Sequence, residues 1–140
     1  MKLWNQNSKD KNSAIDHFLS SEDITLDQEL FLYDIEASIA HAHELEKINI
    51  FTKTEARKVI SSLKKLGKLF QTNKFKLTAK YEDCHSAIED FLTKELGSIG
   101  KKIHTGRSRN DQIMVAMRLY AREKLDEIQS INLKVAKAFL

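Results

Sequence analysis

The feature that most restricts the fold of this 140-residue chain is the absence of proline at every position. Glycine occurs only four times, at positions 67, 97, 100 and 106. Proline and glycine are the residues that most often end helices or force the backbone into turns, so this chain has few points that interrupt a helix. The sequence therefore predicts an all-α fold.

The composition is that of a globular chain, with 41% hydrophobic and 31% charged residues. No segment has the length and apolarity needed to span a bilayer, and the chain becomes polar within its first residues, unlike a secretory signal. Cys84 is the only cysteine, which excludes an internal disulfide and fits a reducing compartment. We expect a cytoplasmic protein in which Cys84 is a buried, inert thiol, with no membrane partner.

Two segments have the spacing of a capping box, in which side chains three positions apart each bind the other's backbone N–H. They are residues 25–28 and residues 52–55, and each precedes apolar residues that recur every three or four positions. That recurrence is typical of a helix with one buried face. A third helix is predicted from about Asp83 to Gly97, where a left-handed C-terminal cap would lie.

The remaining segments are predicted from their polarity and periodicity. Residues 1–24 are expected to form an extended arm with one short helical turn, and residues 98–110 a polar loop long enough to be functional. From Asp111 onward an apolar stripe predicts a long helix that packs in a bundle and continues beyond Leu140 in the natural protein. Its members are Met114, Met117, Ala121, Leu125, Ile128, Ile131, Val135 and Phe139.

Basic residues are concentrated between positions 53 and 80, where the sequence contains nine Lys or Arg and only one acidic residue, Glu55. The segment lacks the interleaved aromatic residues on which single-stranded nucleic acids stack. A solvated helix face is therefore the preferred interpretation, with no nucleic-acid partner. A small basic nucleic-acid-binding module is the alternative, and salt-dependent binding would distinguish it.

Hydrogen-bond donors are concentrated just before the last predicted helix. The backbone N–H groups of a first helical turn are unpaired and the helix dipole favours negative charge, while Arg107 or Arg109 can bind a carboxylate or phosphate through two parallel N–H groups. Ser108, Asn110 and Asp111 are equally suited to cap the helix. From the residues alone, an anion site and an ordinary helix start are equally favoured.

Residues 82–85, Glu-Asp-Cys-His, include the types that bind metals. Consecutive positions do not project to one point, and His41 and His43, two apart on a helix, diverge. We therefore predict structural histidines and no metal site. A nucleophilic triad has no support either.

Residues 100–112, Gly-Lys-Lys-Ile-His-Thr-Gly-Arg-Ser-Arg-Asn-Asp-Gln, resemble the signature of the argininosuccinate lyases almost letter for letter. Residues 82–89 and 34–42 are similar to two further blocks of that family, and residues 2–4 to its opening. The chain departs from the family after Trp4, where its glycine-rich stretch is absent, and in residues 19–27, which form a longer segment. The resemblance covers nearly the whole chain.

This resemblance implies a fumarase/aspartase-like fold, with a helical N-terminal domain over residues 1–110 and the start of a central bundle helix over residues 111–140. It implies the reversible elimination of argininosuccinate to arginine and fumarate in arginine biosynthesis, with no cofactor, in a homotetramer whose active sites combine several subunits. A non-catalytic, crystallin-like relative is the alternative. An adenylosuccinate lyase is disfavoured, because residues 107–112 fit the argininosuccinate branch better.

The resemblance also implies the roles of individual residues. The substrate-binding set is Lys2, Ser21, His85, Arg107, Ser108, Arg109 and Asn110. Within it, Asn110 and Arg109 bind substrate carboxylates, Arg107 and Ser108 position the loop, and His85 binds or orients. Asp111 and Gln112 hold the helix start. No catalytic residue is assigned, because the family's catalytic His and Ser belong to blocks beyond Leu140; we therefore expect these 140 residues alone to be inactive and to self-associate.

Overall fold

A computed structural model of the chain describes residues 23–78 and 80–140. The helices, in chain order, are α1 (Asp23–Lys47), α2 (Lys53–Gln71), α3 (Cys84–Leu96), α4 (Ser98–Lys101), a 3-10 helix (Lys102–His104) and α5 (Arg109–Ala138). These residues contain no strand, and the all-α prediction is confirmed. None of the described helices combines the length and apolarity of a membrane-spanning segment. The predicted arm lies almost wholly outside the described residues.

The core lies between α1, α2 and α3, whose apolar faces were visible as the three-to-four-residue periodicity of the sequence. Phe31 of α1 is fully buried, and its ring centroid lies 4.5 Å from that of Phe70 and 5.7 Å from that of Phe75. Leu63 and Leu92 enter the same core from α2 and α3. Burying each of these large side chains contributes about 1.5–3 kcal/mol, so the three-helix core is the main source of stability.

Two of the predicted helix ends are confirmed by the hydrogen bonds at those ends. At the start of α2, the Thr52 hydroxyl accepts from the Glu55 N–H at 3.2 Å, and the Glu55 carboxylate accepts from the Thr52 N–H at 2.8 Å. At the end of α3, Gly97 has a φ of 61°, a backbone angle that favours glycine. Local sequence signals were sufficient at both positions.

Three predicted boundaries were wrong. The first helix already includes Asp23, so Thr25 lies within the helix rather than at its cap. Much of the loop expected over residues 98–110 is helical, because α4 and the 3-10 helix occupy residues 98–104. The last helix begins at Arg109 rather than Asp111, because Ser108 caps it. The Ser108 cap sets the start of the last helix, and the close contact of Gly100 with α3 accompanies the helical structure of residues 98–104.

Gly100 lies inside α4, although glycine is unfavourable within a helix. The α4 backbone lies directly against the α3 backbone, and a Cβ added at Gly100 would lie 2.3 Å from the Leu92 carbonyl oxygen and 2.7 Å from the Thr93 nitrogen. Glycine is thus required for a close helix approach rather than for a turn.

The long helix α5 packs on the body of the chain only near its start. Gln112 and Ala116 are buried, and the Tyr120 ring meets Tyr33 of α1 edge to face at 5.7 Å. Every residue after Lys124 is exposed. The predicted apolar stripe from Met114 to Phe139 is therefore present but lies uncovered, with its large side chains 46% to 87% exposed.

The nine basic side chains between positions 53 and 80 are all exposed, as expected for a solvated surface. Lys65 pairs with Glu95 of α3 and lies 6.0 Å from the Phe91 ring centroid. The long stems of such lysines can cover apolar surface while their ammonium groups stay in water.

Replacing Gly100 by alanine is expected to destabilise the chain by about 3 kcal/mol or more, because the new methyl group meets backbone atoms that cannot move aside. Gly67→Ala in α2 is the matched control. Its Cβ would meet nothing closer than the Ile35 Cδ1 atom at 3.8 Å, and we expect a gain of about 0.5–1 kcal/mol from the better helix propensity. Urea denaturation followed by circular dichroism measures both values, and equal stability of the two variants would contradict the close approach at Gly100.

Candidate functional site

The segment that carried the family resemblance forms the start of α5 and the short connection before it. Ser108 is the cap of α5: its hydroxyl accepts from the Asp111 N–H at 3.3 Å, and Asp111 Oδ2 accepts from the Ser108 N–H at 2.7 Å. Hydrogen bonds from the Ser108 backbone and hydroxyl hold the pKa of Asp111 below its ordinary value. The cap fixes the direction in which the free N–H groups of the first turn point.

Asn110 is the second residue of α5 and is exposed beside this helix start. Ser108 is exposed as well, so both side chains are accessible to a ligand that approaches the first turn. The helix dipole and the free backbone N–H groups favour a negatively charged ligand at this position.

Arg109 lies in an ion pair with two carboxylates at the start of α3. Its Nη1 atom is 2.5 Å from Glu82 Oε1, and its Nε atom is 2.9 Å from Asp83 Oδ2. Burial acts to lower the pKa of this guanidinium, but the neighbouring carboxylates of Glu82 and Asp83 outweigh burial and raise it. Arg109 therefore ties the start of α5 to the start of α3.

Arg107 holds the connection before α5 against α1. Its Nη2 group donates to the Ser38 hydroxyl at 3.1 Å. Burial lowers the pKa of the Arg107 guanidinium, while the charges of Asp34 and Glu89 act in the opposite direction. The guanidinium stays charged because an arginine pKa lies so far above neutrality.

Two histidines fix the rest of the connection. His41 Nε2 donates to the Thr105 carbonyl oxygen at 3.0 Å, and His104 Nδ1 lies 2.7 Å from Glu89 Oε1. Burial, followed by the charge of Arg107, lowers the pKa of His41, which favours the neutral ring that donates this bond. Both rings have structural contacts, as predicted for His41.

A buried group formed by Asp34, Cys84 and His85 lies where α1 meets the start of α3. His85 Nδ1 is 2.6 Å from Asp34 Oδ2, and both residues are at most 2% exposed. Burial alone would lower the pKa of His85, but the hydrogen bond and charge of Asp34 outweigh it and raise the pKa. His85 thus forms an ion pair with Asp34 rather than facing the exposed helix start.

Cys84 completes this buried group. Its Sγ atom is 3.6 Å from His85 Nδ1 and 3.8 Å from Asp34 Oδ2. Burial and the neighbouring carboxylates raise the pKa of the thiol far above its ordinary value. The prediction that Cys84 is buried is therefore confirmed.

The prediction that the side chains of residues 82–85 do not converge was only partly right. Glu82 and Asp83 do point away, toward Arg109, but Cys84 and His85 converge because Asp34 reaches them from another helix. Asp34 was not singled out from the sequence. The available signal was that it occupies the mostly apolar buried face of α1, where a charged residue needs a partner.

Several buried polar atoms around the same segment have no hydrogen-bond partner among residues 23–78 and 80–140. They are Asp34 Oδ1, Glu82 Oε2, Arg107 Nε and both polar atoms of the Gln112 amide. Buried polar groups normally find partners, so their concentration around residues 105–112 is typical of a site that binds polar groups. Lys2 and Ser21 lie outside the described residues.

Comparison with known proteins identifies the family. Residues 8–139 match the sequence profile of the lyase family. The chain belongs to that family. This lyase chain is 46% identical, over 138 residues, to the argininosuccinate lyase of Xanthomonas euvesicatoria, a match that covers 99% of the chain and 32% of the relative. The argininosuccinate lyase of Stenotrophomonas maltophilia gives the same values.

A third relative, the argininosuccinate lyase of Xylella fastidiosa, is 44% identical over 134 residues, which cover 96% of the chain and 30% of the relative. The lyase chain thus spans about a third of the length of the curated relatives that it matches. The resemblance found in residues 100–112 is confirmed by these similarities.

The Asp34–His85 pair predicts a pH-dependent stability. Because folding raises the pKa of His85 above its ordinary 6.5, the contribution of the pair is complete below pH 6.5 and is lost as the pH rises through the raised value. Asp34→Asn should therefore lose more stability at pH 6 than at pH 8.5, with a loss of about 3–5 kcal/mol at the lower pH.

Asp90→Asn is the control, because Asp90 pairs with Lys94 on the helix surface, where solvent screens the two charges and the pair contributes little to stability. Urea denaturation of the unsubstituted chain and of both variants at each pH measures the free energies of unfolding. A loss in Asp34→Asn that is the same at both pH values would contradict a protonated His85.

Proposed function

We propose that the protein acts as an argininosuccinate lyase, which reversibly eliminates fumarate from argininosuccinate and leaves arginine. The strongest support is the agreement of residues 100–112 with the family signature, at the point where the chain presents a capped helix start with Asn110 exposed. The names of relatives at 44% to 46% identity support the same reaction. The proposal places the protein in arginine biosynthesis in the cytoplasm, with small-molecule partners only.

The elimination makes a specific electrostatic demand. A base removes a proton from the carbon next to a carboxylate, and the resulting intermediate carries a second negative charge on that carboxylate. Hydrogen-bond donors that are already in place stabilise this charge without having to reorganise. The first turn of α5 provides such donors through its backbone N–H groups, the helix dipole and the Asn110 amide.

We assign the residues of the chain to binding and orientation. Asn110 donates to a substrate carboxylate, and Arg109 contributes its charge and its Nη2 group, since Nη1 and Nε are engaged by Glu82 and Asp83. Arg107 and Ser108 hold the connection in place. His85 orients the site indirectly, through its buried contact with Asp34.

Two assignments rest on the resemblance alone. Ser21 is proposed to contact the substrate, and Lys2 to reach it from the N-terminal arm. No proton transfer is assigned to the chain, since the family's catalytic His and Ser belong to blocks that these 140 residues do not contain. We also propose that residues 1–110 form an N-terminal domain and that residues 111–140 form the start of a central bundle.

We also propose that the protein forms a homotetramer through α5. The support is the uncovered apolar stripe on this helix, which an isolated chain leaves in water at a large free-energy cost. Long helices with such a stripe are typically buried against other helices in bundles.

In the assembled enzyme, Asn110→Ala is expected to lower kcat/KM by about 10²–10³-fold, because one donor to the charged intermediate is lost. Asn110→Asp should be at least as damaging, since the same-sized carboxylate repels the substrate. Fumarate release measures both, and unchanged circular dichroism shows that the fold is kept. Activity near the unsubstituted level in both variants would contradict the role of Asn110. The 140-residue chain assayed alone should release no fumarate.

The 140-residue chain is expected to self-associate with increasing concentration, because the stripe is exposed. Introducing charge with Ile128→Glu and Ile131→Glu should return it to the monomer, whereas Glu127→Gln, on the same helix, should not. Analytical ultracentrifugation measures the mass of each species. A monomeric unsubstituted chain at sub-millimolar concentration would contradict association through α5.

A further inference from the structure

The buried group of Asp34, Cys84 and His85 brings together three different metal-binding side chains from two helices. Asp34 belongs to α1, and Cys84 and His85 are the first residues of α3. All three are at most 2% exposed, and their donor atoms lie within 4.8 Å of one another. This group is separate from the exposed helix start at Asn110.

The distances between the donors suit a small cation. Cys84 Sγ, His85 Nδ1 and Asp34 Oδ2 form a triangle with sides of 3.6, 3.8 and 2.6 Å. The point equidistant from the corners of that triangle is about 2 Å from each donor, close to the roughly 2.0–2.3 Å bonds that zinc makes with nitrogen, oxygen and sulfur. Only the shortest side must open, by about 0.7 Å, to reach a tetrahedral angle at the ion.

A second observation points to a ligand independently of these distances. Asp34 Oδ1 is buried and has no hydrogen-bond partner within residues 23–78 and 80–140. Asp27 and Asp83 add negative charge around His85, while Arg107 is the positive group that faces Asp34. A buried carboxylate with an unused oxygen in acidic surroundings favours a cation.

We propose that Asp34, Cys84 and His85 form a binding site for a thiophilic divalent cation of the zinc class, with water as the fourth ligand. This proposal revises the expectation of no metal site, which assumed that donors come only from consecutive positions. It does not depend on the proposed lyase activity.

The ion replaces two protons. Bonds form from the ion to Cys84 Sγ, His85 Nδ1 and Asp34 Oδ2, while the S–H bond of the thiol and the Nδ1–H bond of the imidazolium break. Both protons go to solvent, and the ring keeps its Nε2 proton. Binding should therefore strengthen with rising pH and release two protons for each ion bound.

The donor set also predicts selectivity. One thiolate, one imidazole and one carboxylate suit Zn²⁺, Co²⁺ and Cd²⁺, whereas Mg²⁺ and Ca²⁺ require six or more oxygen ligands. A bound ion would link α1 to α3 close in sequence to Ser38 and Asp83, which bind Arg107 and Arg109. Occupancy should therefore raise the thermal stability of the chain.

The test is a titration of the 140-residue chain with Co²⁺, followed by its absorption spectrum. We expect one ion for each chain, a sulfur-to-cobalt charge-transfer band, the visible bands of a four-coordinate ion, and their loss when Zn²⁺ is added. Cys84→Ser should abolish the charge-transfer band and weaken Zn²⁺ binding at least about tenfold. His43→Gln, which changes an exposed histidine, should leave the titration unchanged.

A measurement on the unsubstituted chain keeps the test decisive if a variant fails to fold. Cadmium NMR spectroscopy should give one resonance in the range of a site with a single thiolate and mixed nitrogen and oxygen ligands. A spectrum of oxygen-only coordination, no charge-transfer band with Co²⁺, or an unchanged titration in folded Cys84→Ser would overturn the proposal. Binding of Mg²⁺ with similar affinity would overturn its selectivity.

Discussion

The start of α3 is the point to which α1 and α5 are tied, and the position of the candidate site depends on it. The Asp83 carboxylate caps α3 and also binds Arg109 of α5. The first N–H group of α3 donates to Asp27 of α1, and His85 pairs with Asp34 of the same helix. A helix start has free N–H groups that need acceptors, and Asp27 of α1 together with the cap residue Asp83 supplies them at α3. The same contacts place the start of α5 beside α1.

Burial decides which of these charged contacts matter most. The pairs on the helix surfaces, such as Lys94 with Asp90, are screened by solvent and contribute little to the stability of the fold. His85 and Asp34 have no access to water, so removing either partner leaves an uncompensated polar or charged group in the core. The pair between them therefore specifies how α1 and α3 meet, and with it the position of Ser38, which binds Arg107.

The sequence was informative wherever structure follows from neighbouring residues. Periodicity identified the long helices, and the capping box of Thr52 needed only residues three positions apart. It was uninformative where the deciding partner is distant in the chain. The local pattern places Asp27 within a capping box, but its carboxylate accepts from the Cys84 N–H, which is 57 positions away. Gly100 was read as a loop residue because no local pattern reveals that the Leu92 carbonyl lies against it. The site was found through its signature, whereas the buried support provided by Asp34 required the fold.

The geometry of α5 links binding to assembly. Asn110, Met114 and Met117 are four and three positions apart, so they lie along one face of the helix. The residue proposed to bind the substrate therefore shares a face with the first members of the apolar stripe. A helix that covers Met114 and Met117 must pass close to Asn110, and it brings its own side chains to the free N–H groups of the first turn. Association through the stripe would then complete the surroundings of the substrate, which explains how one helix can serve both as anion-binding site and as interface.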